Sequence, residues 1–124
     1  QSYNSNPLSL KSAIKNFDKI DSKTSKKYLL IGDMLELGSH SKKLHKSIAP
    51  IINQTKIDKV FVKGKMASII FAGISKAKKG RILSNKSQII ELIRKDLNNN
   101  DYLMIKASLA TGFNDIVKDL KGLH

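Results

Sequence analysis

The sequence predicts an α/β layered domain with a mostly parallel sheet. Three observations carry this: four short apolar runs rich in β-branched and aromatic residues, apolar stripes at helical spacing between them, and polar or glycine breaks at the boundaries. A chain of 124 residues that is 40% hydrophobic suits a single core and so one domain over 1–124. The organising run is Tyr28-Leu29-Leu30-Ile31, flanked by Lys26 and Lys27 on one side and Gly32 and Asp33 on the other, which reads as a strand buried on both faces. Its exit is an acidic loop, with Asp33 and Glu36 between Gly32 and Gly38. Ligands of open α/β sheets collect at the carboxyl ends of strands, so this loop is a candidate binding site. The plainer alternative makes Asp33 a turn cap and Glu36 a solvated side chain.

The elements follow in order. Asn6-Pro7 opens a helix, because an Asn side chain caps free amides and proline at the first helical position loses no hydrogen bond. Leu10, Ala13, Ile14 and Phe17 form its buried stripe. A polar linker from Asp18 to Lys26 leads to the Tyr28 strand. After Gly38, Ser39 or Ser41 starts a second helix carrying Leu44, Ile48, Ile51 and Ile52, and Pro50 predicts a kink or an end near Ala49. Val60-Phe61-Val62 is the next strand, followed by Gly64 and a helix with Met66, Ile69, Ile70 and Ile74, weakened by Gly73. Lys76 to Gly80 is a basic turn and Arg81-Ile82-Leu83 a short strand. Asn85 and Gln88 make a capping box ahead of Ile89, Ile90, Ile93 and Leu97, and Asn98-Asn99-Asn100 breaks that helix. Tyr102 to Ile105 is the last strand, and Phe113, Ile116, Val117 and Leu120 mark a closing helix.

Composition excludes several chemistries. The absence of cysteine rules out disulfides and thiolate metal sites. No apolar run approaches a membrane span, and Gln1-Ser2-Tyr3-Asn4 has no signal-peptide character; without an initiator Met, the chain is expected to be a fragment or a processed product. The net charge of +13 suggests nucleic acid, yet the lysines are spread along the chain, Arg81 and Arg94 are the only arginines, and no basic segment carries interleaved aromatics. The charge therefore reads as solvated lysine faces, and a basic α/β binding module with non-specific polyanion affinity stands as the alternative function. No Gly-x-x-x-x-Gly-Lys-Ser/Thr phosphate loop occurs, Gly64-Lys65-Met66 being only superficially similar, and no Gly-x-Gly-x-x-Gly follows a strand. His40, His45 and His124 make no metal motif, and His40 and His45 read as surface groups at a helix start. No nucleophile elbow is present. A phospho-receiver reading would use Asp33 and Lys106, but lacks the acidic pair after a first strand that magnesium needs.

Three stretches carry a resemblance. Ser2-Tyr3-Asn4-Ser5-Asn6-Pro7 is similar to a Ser-Tyr-Asn-Ala-Asn-Pro signature. Leu30 to Gly38 is similar to a Gly-Asp-Met-x-Glu-Leu-Gly stretch with His45 following, and Asp101 to Ser108 is similar to an Asp, apolar strand, Lys-Gly-Ser ending. All three occur in this order in the Mur ligase family, whose C-terminal domain the chain resembles over essentially its whole length. The resemblance implies a three-layer Rossmann-like domain of an ATP-dependent amide ligase of cytoplasmic peptidoglycan synthesis, which serves cell-wall biogenesis, cell shape and cell division. Its implied substrates are UDP-N-acetylmuramoyl-tripeptide and D-alanyl-D-alanine. In such ligases ATP phosphorylates the peptide carboxylate and the amine of the dipeptide attacks the acyl phosphate, a chemistry of positioning and charge neutralisation.

The resemblance also places ATP and magnesium mainly in a central domain that, with an N-terminal domain, is expected to lie outside this chain, leaving the fragment inactive alone. It implies no catalytic residue and no metal ligand here. Tyr3, Asn4 and Asn6 are implied at the nucleotide-facing edge, with Asn6 as a helix cap and Tyr3 as a core aromatic the structural alternatives. Asp33, Glu36, Lys106 and Ser108 are implied to face the acceptor dipeptide, with pairing to an acid the alternative for Lys106. The chain departs from the pattern at Ser5 for Ala, Ala107 for Gly, Leu109 for a frequent Arg and Asn114 for a frequent acid. The loss of a glycine at 107 bears most on the site, through backbone freedom and close approach.

Overall fold

The computed structural model describes residues 7–34 and 37–106. Helix α1 (Pro7–Asp18) buries Leu10, Ile14 and Phe17, the stripe its spacing predicts. Strand β1 (Lys27–Gly32) follows, buried along its whole length. A short 3-10 turn (Gly38–His40) leads into α2 (Ser41–Lys46) and α3 (Ile48–Asn53), then β2 (Lys59–Lys63) and α4 (Ala67–Gly73). A 3-10 turn (Lys76–Lys78) opens into β3 (Lys79–Ile82); α5 (Lys86–Glu91) runs into a π-type turn (Leu92–Asp96), and β4 (Tyr102–Lys106) completes the described sheet. The predicted closing helix lies outside the described residues.

All strand pairs are parallel and the order is β3-β2-β1-β4. Alternate residues of β1 point to opposite faces, and both sets are buried. Leu29 and Ile31 join Leu10, Ile14, Phe17, Ile48, Ile52 and Ile70, so α1, α3 and α4 cover one face. Tyr28 and Leu30 join Phe61, Leu83, Ile89 and Leu92, which places α5 on the other. The result is three layers. Tyr28 and Phe61 stack at 5.8 Å between centroids, and the Tyr28 hydroxyl donates to the Asp96 carbonyl at 3.3 Å.

Three boundaries differ from expectation. The second helix breaks at Ser47 rather than near Ala49, and Pro50 lies within the first turn of α3. Proline lacks the amide that would bond four residues back, so the chain restarts its helix just upstream, where amides have no intrahelical partner anyway. Ser47 stitches the break, its hydroxyl donating to the Leu44 carbonyl at 2.6 Å. Strand β3 starts at Lys79, inside the expected basic turn, because Gly80 lies flat on the Phe61 ring, where a Cβ would collide. The stripe after Asn85 centres on a different line than expected: Leu92, three residues after Ile89, is buried alongside it, while Ile90 and Ile93 are half-buried. The Asn85 cap forms, Gln88 N donating to Asn85 Oδ1 at 3.0 Å, while the Gln88 side chain accepts from the amide of Ser84, one residue before the cap, instead of from that of Asn85.

Candidate functional site

Chain order and helix placement single out one end of the sheet. From β1 the chain steps outward through β2 to β3 with its connecting helices on one face, then returns past β1 to β4 with α5 on the other. The direction of winding therefore reverses between β1 and β4. In open parallel sheets this reversal leaves a crevice outside the carboxyl ends of the two strands, because the loops leaving them part to opposite faces. Ile31 pairs with Lys106 and Gly32 with Lys63, so the exits of β1, β2 and β4 are level. Asp33 leaves β1 into this rim and Lys106 ends β4 beside it. The two described members of the predicted substrate-facing set thus share one edge. Tyr3, Asn4, Asn6, Glu36 and Ser108 lie outside the described residues.

Asp33 is held. Its Oδ1 accepts from the Ala67 amide at 2.6 Å, at the start of α4. The carboxylate is seated over Gly64, whose φ of 120° is in the glycine-favouring region and where a Cβ would run into the Asp33 side chain. Gly64 also accepts, through its carbonyl, from the Ser68 amide at 3.0 Å and the Ser68 hydroxyl at 2.8 Å. So the turn-capping alternative for Asp33 is realised through one oxygen, across 34 residues of sequence rather than locally. Gly64, which in sequence looked only like a failed phosphate loop, is the residue that makes room for it.

The next residue is held as well. Met34 is 1% exposed and its amide donates to His45 Nε2 at 3.0 Å. His45 is fully buried, which corrects its reading as a surface group; His40 is exposed as expected. The reason is the break at Ser47: α2 is a separate short helix whose inward position is His45, flanked by a half-buried Leu44. A backbone amide only donates, so Nε2 carries the lone pair and the ring proton sits on Nδ1, which donates to the Ser41 carbonyl at 2.8 Å. The available sequence signal was Ser41 four residues before His45, a spacing that puts both on one helical face.

Lys63, Lys65 and Lys106 surround the exits of β2 and β4, giving the described rim a cationic character suited to anionic groups. Among the described residues no cluster of three or more His, Cys, Asp or Glu side chains is placed to hold a metal ion. Nor is any described helix long and apolar enough to cross a membrane. Two open cavities, of about 620 and 490 Å³, lie at the amino ends of the strands instead, lined respectively by residues such as Asp18, Lys27 and Asp58 and by Tyr28, Phe61 and Arg81. In the second, Arg81 is committed to Asp96 at 2.6 Å and to the Phe61 ring at 5.3 Å.

Comparison with known proteins agrees with this geometry. The UDP-N-acetylmuramoyl-tripeptide--D-alanyl-D-alanine ligase of Bacillus subtilis is 35% identical over 121 residues, 95% of this chain and 26% of the relative. The Rickettsia prowazekii protein of the same name is 29% identical over 117 residues, 93% of this chain and 25% of its own. The MurF ligase of Thermotoga maritima, solved in complex with ADP, superposes with a TM-score of 0.76 at 24% identity, over 94% of this chain and 26% of that one. MurF from Acinetobacter baumannii gives 0.76 at 23% identity, over 96% and 26%. The chain spans about a quarter of the length of these relatives. The family described as "Mur ligase, glutamate ligase domain" matches residues 1–109, and the chain belongs to it.

Proposed function

We propose that this chain is the C-terminal domain of an ATP-dependent ligase that joins D-alanyl-D-alanine to UDP-N-acetylmuramoyl-tripeptide in the cytoplasmic stage of peptidoglycan synthesis. The similarity over 95% of the chain to ligases of that name is the observation that carries the reading. Its support in the fold is the reversal of winding between β1 and β4, with Asp33 and Lys106 on the resulting rim. In this reading the rim turns towards a central domain of the same enzyme. Asp33, Glu36, Lys106 and Ser108 face the acceptor dipeptide, and Tyr3, Asn4 and Asn6 edge the nucleotide. ATP is held mainly by the central domain. Magnesium is assigned there too, as the resemblance to the family implies, and Asp33 for its part gives one oxygen to the Ala67 amide. What this domain supplies is positioning: a cationic edge that neutralises phosphate and carboxylate charge, and a fixed acidic loop.

Phosphate release by the complete enzyme tests the reading. It is expected to require ATP, the UDP-linked tripeptide and D-alanyl-D-alanine together, while the 124-residue chain alone releases none and binds ATP weakly or not at all. Release that ignores the dipeptide would overturn the assignment. Lys106→Met in the complete enzyme is expected to lower kcat/KM for the dipeptide by about tenfold, as for loss of one charge-assisted contact.

A further inference from the structure

We infer that His45 is a positioning residue for the acceptor-facing loop, acting through the Met34 amide. This rests on the ligase reading above and assigns a role to a side chain outside the rim itself.

The loop that leaves β1 is secured at two consecutive residues in two different ways. The Asp33 side chain is drawn to the amino end of α4 by the Ala67 amide, and the Met34 main chain is drawn to α2 by His45 Nε2. Side chain and main chain of adjacent residues are thereby tied to separate helices, which sets the position and orientation of the loop base at Asp33 and Met34. Gly38, with φ of 62°, then turns the chain into the 3-10 turn that delivers α2 and His45 itself. The imidazole thus returns to the residue at the base of β1's exit, at Met34.

Burial makes the histidine specific. With the ring fully enclosed and Met34 1% exposed, no water competes for the Met34 amide, and a side chain that reaches it must end in an acceptor. The same ring must present a donor to the Ser41 carbonyl at 2.8 Å. Neutral imidazole meets both needs at once, with acceptor and donor at a fixed separation. An aliphatic residue of similar volume would fill the space and leave the buried Met34 amide without this partner. His45 touches no reacting group in this account; its effect is carried by where Asp33 and Met34 are held.

The test compares His45→Gln with His45→Asn in the complete enzyme. A Gln amide oxygen reaches the place of Nε2, whereas Asn is one bond shorter and reaches only that of Nδ1. Both variants are polar, so the comparison isolates reach. For His45→Asn the KM for D-alanyl-D-alanine is expected to rise about tenfold and Met34 amide exchange to accelerate. His45→Gln is expected to stay within about threefold of wild type with the amide still protected, and the KM for ATP to be unchanged in both. Equal dipeptide KM in the two variants would overturn the role. Should His45→Asn fail to fold, a tenfold rise in His45→Gln with its Met34 amide still protected would also overturn it. A wild-type enzyme without dipeptide-dependent turnover defeats the ligase reading instead, and Met34 exchange in the two variants still decides whether His45 anchors the loop.

Discussion

The two ends of the sheet use polar residues differently. At the amino ends, side chains are spent on backbone groups of neighbouring strand entries. Asp58 Oδ2 accepts from the Lys27 amide at 2.8 Å, and Asp18 Oδ1 from the Lys56 amide at 2.7 Å. Asp101 accepts from both the Lys26 and Asn98 amides at 2.9 Å. Lysines do the reciprocal work: Lys78 Nζ donates to the carbonyls of Thr55 and Ile57 at 2.7 and 2.8 Å, and Lys27, 3% exposed, donates to that of Asp18 at 2.7 Å. At the carboxyl ends, among the described residues, the Asp33 and His45 side chains each fix the base of the loop that leaves β1. Among the described residues two cavities open at the amino end, yet the reversal of winding sits at the carboxyl end. A cavity is the weaker guide here, since the amino-end grooves are lined by groups already engaged with the chain's own backbone.

If the carboxyl rim is the more constrained end, its glycine is the most sensitive point. Gly64→Ala is expected to cost about 2–4 kcal/mol, since it combines a φ of 120° with displacement of the Asp33 carboxylate from the Ala67 amide. Gly38→Ala, with φ of 62° and open space around the new methyl, is expected to cost only about 1 kcal/mol. Urea unfolding of both variants checks this, and similar losses would mean that the Asp33 seat contributes little.

The amino end yields smaller effects. Lys78→Met keeps the apolar stem but removes the ammonium that joins two carbonyls, and is expected to cost about 1 kcal/mol by the same measurement. A loss as large as that of Gly64→Ala would erase the contrast between the ends.

The smallest effect carries a pH signature. Hydrogen bonds from the Lys26 and Asn98 amides hold the Asp101 carboxyl below its ordinary value. A carboxyl lowered on folding contributes stability that is present above its unfolded value and is lost as pH falls through the folded one. Asp101→Asn is thus expected to lower the urea midpoint by about 0.3 M at neutral pH, an exposed-group effect, with the gap closing as the medium is acidified below the aspartate range. A gap that persists in acid would show that shape, not charge, is what Asp101 supplies.

Much of this architecture was legible in local pattern. Leu10, Ile14 and Phe17 were readable as a helical face, Tyr28 to Ile31 as a strand buried on both sides, and Asn85 with Gln88 as a cap, because periodicity and capping depend on neighbours a few residues away. The site was legible in part. The acidic exit of β1 was visible from composition, but the partner of Asp33 was not, since Ala67 lies 34 positions on and offers only a backbone amide. Leu92 escaped because Ile89 and Ile90 are adjacent, so a stripe through Ile93 and Leu97 fits the helical period as well as one through Leu92, and only packing with Phe61 and Leu83 decides between them. His45 escaped because a break two residues later changed which side of its helix faced inward.

The sequence by itself determined the α/β alternation, the identity of the strands and the family motifs, since each is written in contiguous residues. Only the tertiary structure decided that β4 lies beside β1, that Asp33 and Lys106 therefore share a rim, and that a buried imidazole accepts from the Met34 amide just after β1. Those facts depend on which strands pair and on the directions taken by backbone donors, and neither is encoded by any short stretch of side chains.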